Sequence, residues 1–200
     1  MRTSRVEAFS DGVFAVAITL LVLDLRTPET TGSLIGALAD EWPVFAAFAI
    51  SFLVIGVVWV NHHTLFHQLD HVDRALLFLN LGLLMTVVLI PFTTSLFAQY
   101  VGHPGTQAQV AAALFNGAQL LMGLAFLACG RWLMAHPALY RVRPARASPL
   151  RQLGVNAGSV VYALCIPLSF LSPIAVLVVD GVVAAYYVVD WFTLRPDPVT

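Results

Sequence analysis

Six apolar stretches, over about residues 5–25, 43–63, 74–99, 107–135, 150–171 and 173–193, decide what this chain can fold into. At 1.5 Å per residue the first would span ~31 Å as a helix, which matches a hydrocarbon core roughly 30 Å thick. Nothing inside a bilayer hydrogen-bonds a bare backbone, so stretches of this kind must be helices that satisfy their own N–H and C=O groups. The composition agrees: 59% of the 200 residues are hydrophobic and 10% are charged, against about 25% charged in a soluble domain. The sequence predicts an all-α integral membrane protein, six transmembrane helices in one transmembrane domain over 1–200, surrounded by lipid. The net charge of −1 leaves no nucleic-acid footprint.

Arginine placement sets the orientation. Every basic side chain is arginine, and with a cytoplasmic N-terminus all of them except Arg26 fall on the cytoplasmic side. Both termini are expected there, as an even number of spans requires. Arg2 and Arg5 followed by an apolar run have the outline of a signal peptide. Asp11 interrupts that run and no small-x-small cleavage site follows Leu25, so the segment is read as a retained helix. Residues 26–41 read as a polar loop, and Pro91 and Pro167 are expected to kink the third and fifth spans.

The first span carries the chemistry. At 100° per residue, Val16, Leu20 and Leu23 fall within about 60° of one another, with Thr19 at the edge of that stripe. Asp11 lies on the opposite side from Leu20. An acid two turns inside a membrane helix is expensive, so it is expected to be functional or partnered. It sits six residues, about 9 Å, inside Arg5. Trp59 on the second span and Asn80 on the third lie at similar depth, with Asn61, His62 and Arg74 nearer the surface. These residues are expected to form one polar cluster that satisfies Asp11.

Other polar groups carry less. His63, His67 and His71 fall at i, i+4 and i+8 and would share a face on an extended second helix, where solvated histidines are expected and no metal site is assigned. Asn116 and Gln119 are expected to bond across helices. Asp180, inside the sixth span, has no partner that the sequence identifies. Cys129 and Cys165 sit in apolar runs, as small buried hydrophobes. No cofactor is implied.

Arg5 followed by Phe9-Ser10-Asp11 on a first transmembrane helix resembles the RxxxFSD signature of the transmembrane-protein-175 family of potassium channels. The stretches WVNHH at 59–63 and NLGLLMTVVLIPFTTSL at 80–96 resemble that family's second and third helices. The resemblance implies a potassium-permeable channel that is not an enzyme, has no TVGYG filter, and in bacterial members assembles as a homotetramer of six-span chains in the cell membrane. It implies that the first helix lines the pore, with the constriction at Val16, Leu20 and Leu23 and a hydroxyl layer at Thr19. Val16 is smaller than the family's innermost aliphatic residue. Arg5, Ser10, Asp11, Trp59, His62 and Asn80 would form an intrasubunit network outside the ion path. Asp24 would ring the outer mouth with acids that concentrate K+ and other monovalent cations. The alternative from a different class is a proton-coupled secondary transporter using intramembrane Asp and His residues. Such transporters show broken helices in repeated halves, and the sequence shows none.

Overall fold

The computed structural model describes residues 3–25, 32–102, 105–142 and 149–193, with the backbone alone at 24, 149–157 and 190–193. Among them the chain forms seven α-helices: α1 (Thr3–Leu20), α2 (Leu34–Asp40), α3 (Trp42–His67), α4 (Arg74–Tyr100), α5 (Thr106–Ala135), α6 (Pro149–Ser169) and α7 (Pro173–Thr193). Four are long and apolar enough to cross a membrane: α1 with its following turn, α3, α4 and α5. The described apolar parts of the last two helices are shorter, Gly158–Ser169 and Pro173–Val189. Arg2, Arg26, Arg143, Arg146 and Arg195 lie outside the described residues.

Two expectations change. The 26–41 segment was read as loop, yet it contains the short helix α2, whose first turn is capped by Ser33 accepting from the Gly36 N–H at 3.3 Å. The second span continues to His67, so His63 and His67 are helical and their rings stack with centroids 5.9 Å apart. His71 lies beyond the helix end, beside Asp70 at 3.2 Å, so the three histidines do not share a face. α4 is helical through Pro91, which is buried. Around that proline Thr94 donates to the Ile90 carbonyl at 2.7 Å, and Ser51 of α3 meets the Thr94 hydroxyl at 2.8 Å. With the Thr94 proton committed to its own helix, Ser51 is the donor, and the pair fastens α3 to α4 deep in the apolar layer.

The helices form a sequence of neighbours. α1 packs on α3 and α4 and on no other helix among the described residues; α4 packs on α5, α5 on α6, and α7 on α3, α5 and α6. α1 is thus at one edge of the bundle. The core runs through Phe14, Leu21, Ile55, Leu83, Ile90, Phe97, Phe115 and Met122, all of which are buried. Cys129 and Cys165 are buried free thiols.

At one end of the bundle the α3–α4 connection is latched to the end of α5. Asp73 caps α4 by accepting from the Leu76 N–H at 2.8 Å, and its other oxygen accepts from the Trp132 indole at 3.0 Å. The Asp70 N–H donates to the Leu139 carbonyl at 2.8 Å, and Arg141 donates from its backbone to Gln68 and from Nε to Leu69, each at 3.0 Å. Burial raises the Tyr140 phenol above its ordinary pKa, so it stays neutral beside this junction. Asp73→Ala removes the cap and the indole acceptor together. It is expected to cost about 1–2 kcal/mol, the range of a lost helix cap, read as a lower melting temperature of the purified protein. Asp73→Asn, which keeps an acceptor oxygen, is expected to lose less.

Close approach elsewhere depends on Gly158. Its N–H donates to the Tyr187 hydroxyl at 2.9 Å, and a Cβ there would stand 2.5 Å from that same oxygen. Gly158→Ala is expected to push α6 from α7 and destabilise the fold by about 1–3 kcal/mol, as overpacking does. An unchanged melting temperature would remove this contact from the account.

Candidate functional site

α1 has two opposite faces. Val6, Ser10, Phe14, Ala17 and Leu21 recur at three- and four-residue spacing and are buried against α3 and α4. The other side stays open: Val16 is 57% exposed, Leu20 39% and Leu23 73%, with Thr19 exposed between them and Gly12 exposed one turn before Val16. The Thr19 hydroxyl donates to the Val16 carbonyl at 2.9 Å. Its proton is committed to the helix, and Thr19 is exposed on the open face. After Leu20 the chain tightens into a 3₁₀ turn, Leu21–Asp24. The Asp24 side chain lies outside what is described.

The buried face carries a polar chain. The Asn80 amide donates to Ser10 at 3.0 Å, and His62 Nε2 meets the Asn80 oxygen at 2.8 Å. Since that oxygen accepts, the imidazole carries its proton on Nε2. Nδ1 is buried without a partner. Ser10, His62 and Asn80 are 0%, 1% and 2% exposed. Phe66 stacks on the imidazole with centroids 4.2 Å apart, and Phe14 tilts against it at 5.4 Å. Three helices, α1, α3 and α4, are therefore joined through one dry hydrogen-bond chain.

Asp11 stands beside this chain rather than within it. Its carboxylate accepts from the Trp59 indole at 2.9 Å, a separate α1–α3 link nearer the surface. Trp59 in turn lies against His63, with centroids 6.1 Å apart. The cluster expected from depth alone thus divides in two. Arg5 joins neither part: it is exposed and lines a cleft with Phe9, Arg74, Phe78 and Asn80, while the Arg74 guanidinium sits 5.9 Å from the Phe78 ring.

Sequence reasoning left Asp180 unpartnered. It is fully buried and its carboxylate accepts from the Asn116 amide at 3.2 Å, fastening α7 to α5. The signal was available in the shared depth of the two residues, but six helices offer many such pairings. Gln119, expected to bond across helices, has no partner for either amide atom. Among the described residues no group of three or more His, Cys, Asp or Glu side chains is placed to hold a metal ion.

Known proteins share this arrangement. The family pattern described as endosomal/lysosomal potassium channel TMEM175 matches residues 5–91. A Streptomyces collinus protein named as a potassium channel is 43% identical over 188 residues, 92% of this chain and 91% of that one. The chain belongs to the TMEM175 family. The crystal structure of a TMEM175 homologue from Chamaesiphon minutus, titled a lysosomal potassium-selective channel homologue, superposes with a TM-score of 0.79 at 36% identity, covering 94% of this chain and 96% of that one. The human TMEM175, named an endosomal/lysosomal proton channel, is 40% identical over a stretch that covers 48% of this chain and 21% of its own length. TMEM175 proteins are channels, not enzymes. The family match takes in most of α1, all of α3 and about two thirds of α4, the three helices that share the Ser10–Asn80–His62 chain.

Proposed function

We propose that this chain is one subunit of a homotetrameric, potassium-permeable cation channel in a bacterial cell membrane. Six spans cross the bilayer, both termini are cytoplasmic, and 1–200 forms a single channel domain. The observation that carries the reading is the two-faced α1: its polar and aromatic side is locked to α3 and α4, and its aliphatic side has no partner among the described residues. A helix at the edge of a subunit with an unpartnered face fits a position on a symmetry axis. Four copies of Val16, Leu20 and Leu23 would make an apolar neck that gates by dewetting and needs no TVGYG filter. Thr19 oxygens offset part of the lost hydration, and Asp24 concentrates cations at the outer mouth. Ser10, His62 and Asn80, with Asp11 and Trp59 beside them, hold α1 at its angle and stay out of the ion path. Arg5 and Arg74 line the same cleft, which supports one arginine-rich, cytoplasmic end.

The test is potassium flux in proteoliposomes of the purified protein, together with its native mass. Downhill flux without a co-substrate, carried by a four-chain assembly, is the expected result. Flux that requires a proton gradient would replace the channel with the proton-coupled transporter. A mass other than four chains would remove the shared neck.

A further inference from the structure

The half of the bundle away from α1 contains a cavity that the channel reading does not use. It lies between α3, α5, α6 and α7 and has a volume of about 90 Å³. Val54, Val58, Met122 and Phe126 supply apolar walls, while Gln119, Ser159 and Tyr162 bring polar ends to it. Gln119 is 1% exposed, yet both its Nε2 and its Oε1 lack a hydrogen-bond partner. Buried amides are almost always paired, because an unpaired one forfeits all its hydration for nothing.

We propose that this cavity is a binding site for a small neutral hydroxyl compound, water or a short alkanol, with Gln119 as the anchor. The amide offers a donor and an acceptor side by side, and a hydroxyl is the smallest group that answers both. Among the described residues no acidic or basic side chain lines the space, so a charged ligand has nothing to balance it. At roughly 30 Å³ per water, the volume takes about three waters or one hydroxyl with a chain of two or three carbons. The apolar walls suit the latter equally. Because α3 forms one wall and also carries His62 and Trp59, occupancy bears on the same helix that supports α1.

The experiment is a crystal structure of the full protein, with and without soaking in 2-bromoethanol, at a resolution that reveals ordered solvent. Electron density within hydrogen-bond reach of both Gln119 amide atoms is expected in the unsoaked crystal. A bromine anomalous peak in the cavity after soaking identifies an alkanol site; density without bromine identifies a water site. An empty cavity in both crystals, or Gln119 turned onto a side-chain partner, overturns the proposal. Gln119→Met keeps the volume and removes donor and acceptor, and is expected to abolish the density. Density that persists there overturns the anchoring role. Ala184→Leu, which fills the space from α7, is the second variant and is expected to expel the occupant; retained density beside Gln119 in it places the site elsewhere and overturns the assignment.

Discussion

Leu20→Ala is expected to raise potassium flux by on the order of tenfold, equivalent to about 1.4 kcal/mol off the permeation barrier. The change removes three carbons from each copy of a side chain that is 39% exposed on the open face of α1. In the proposed neck the barrier is the water an ion must shed, and a wider ring lets the ion keep more of it. Stripping an ion completely costs tens of kcal/mol, so a tenfold gain asks only a small fraction of that barrier from the wider ring. Stability is expected to fall by no more than about 1 kcal/mol, less than a core truncation costs, because the side chain is partly exposed in the subunit. Val16→Ala removes less and is expected to give a smaller rise. Val182→Ala, on α7 and 65% exposed, serves as the control and is expected to leave flux unchanged. If the wild type conducts and neither α1 variant alters its flux or selectivity, the open face is packed on lipid or protein, and the pore lies elsewhere.

Asn80→Leu is expected to be the most destabilising single change near the site. Asn80 is the middle member of the chain from Ser10 to His62, and its loss strands both neighbours in places that are 0% and 1% exposed. Each stranded group in a soluble protein would cost about 1–3 kcal/mol. Within a membrane a single interhelical bond averages only ~0.6 kcal/mol, because the separated helices also find partners. Two bonds lost at once, beside an imidazole with Nδ1 already unpaired, put the expected cost at about 1–3 kcal/mol. Assembly should weaken with it, since α1 loses its tie to α4 while keeping the Asp11–Trp59 link to α3. The measurement is thermal unfolding of the purified protein, read alongside its native mass. A melting temperature equal to wild type would show that this hydrogen-bond chain contributes nothing net to holding α1 in place. Asn80→Asp, which keeps an acceptor for His62 and loses the donor to Ser10, is expected to fall between the two.

These two expectations rest on the sequence in different ways. The aliphatic stripe of α1 follows from spacing alone, since 3.6 residues per turn fixes which side chains share a face whatever surrounds the helix. Depth was readable in the same manner: counting from Arg5 brings Ser10 and Asp11 level with Trp59 and Asn80. Pairing was not. Asp11 meets Trp59 and not Asn80, and Arg5 meets neither carboxylate nor amide, because helix rotation and crossing angle choose partners among groups at equal height. His71 fell off the α3 face for a comparable reason: the loop that carries it is pulled across by Leu139 and Arg141, residues 68 and more positions away.

The sequence by itself determined that the chain is helical and lives in a membrane, since apolar length and the absence of solvent for the backbone leave no other solution. It determined the period of each helix and therefore the contents of each face. Tertiary structure alone decided which face was covered. α1 lies at an edge, touching no helix but α3 and α4 among the described residues, so its Ser10 side is dry and its Leu20 side is open. It decided too that Asp180 finds Asn116 while Gln119, three residues further along α5, finds nothing. Periodicity is a property of one helix and is written locally. Partnership depends on how two helices are rotated against each other, and the packing of the whole bundle sets that rotation.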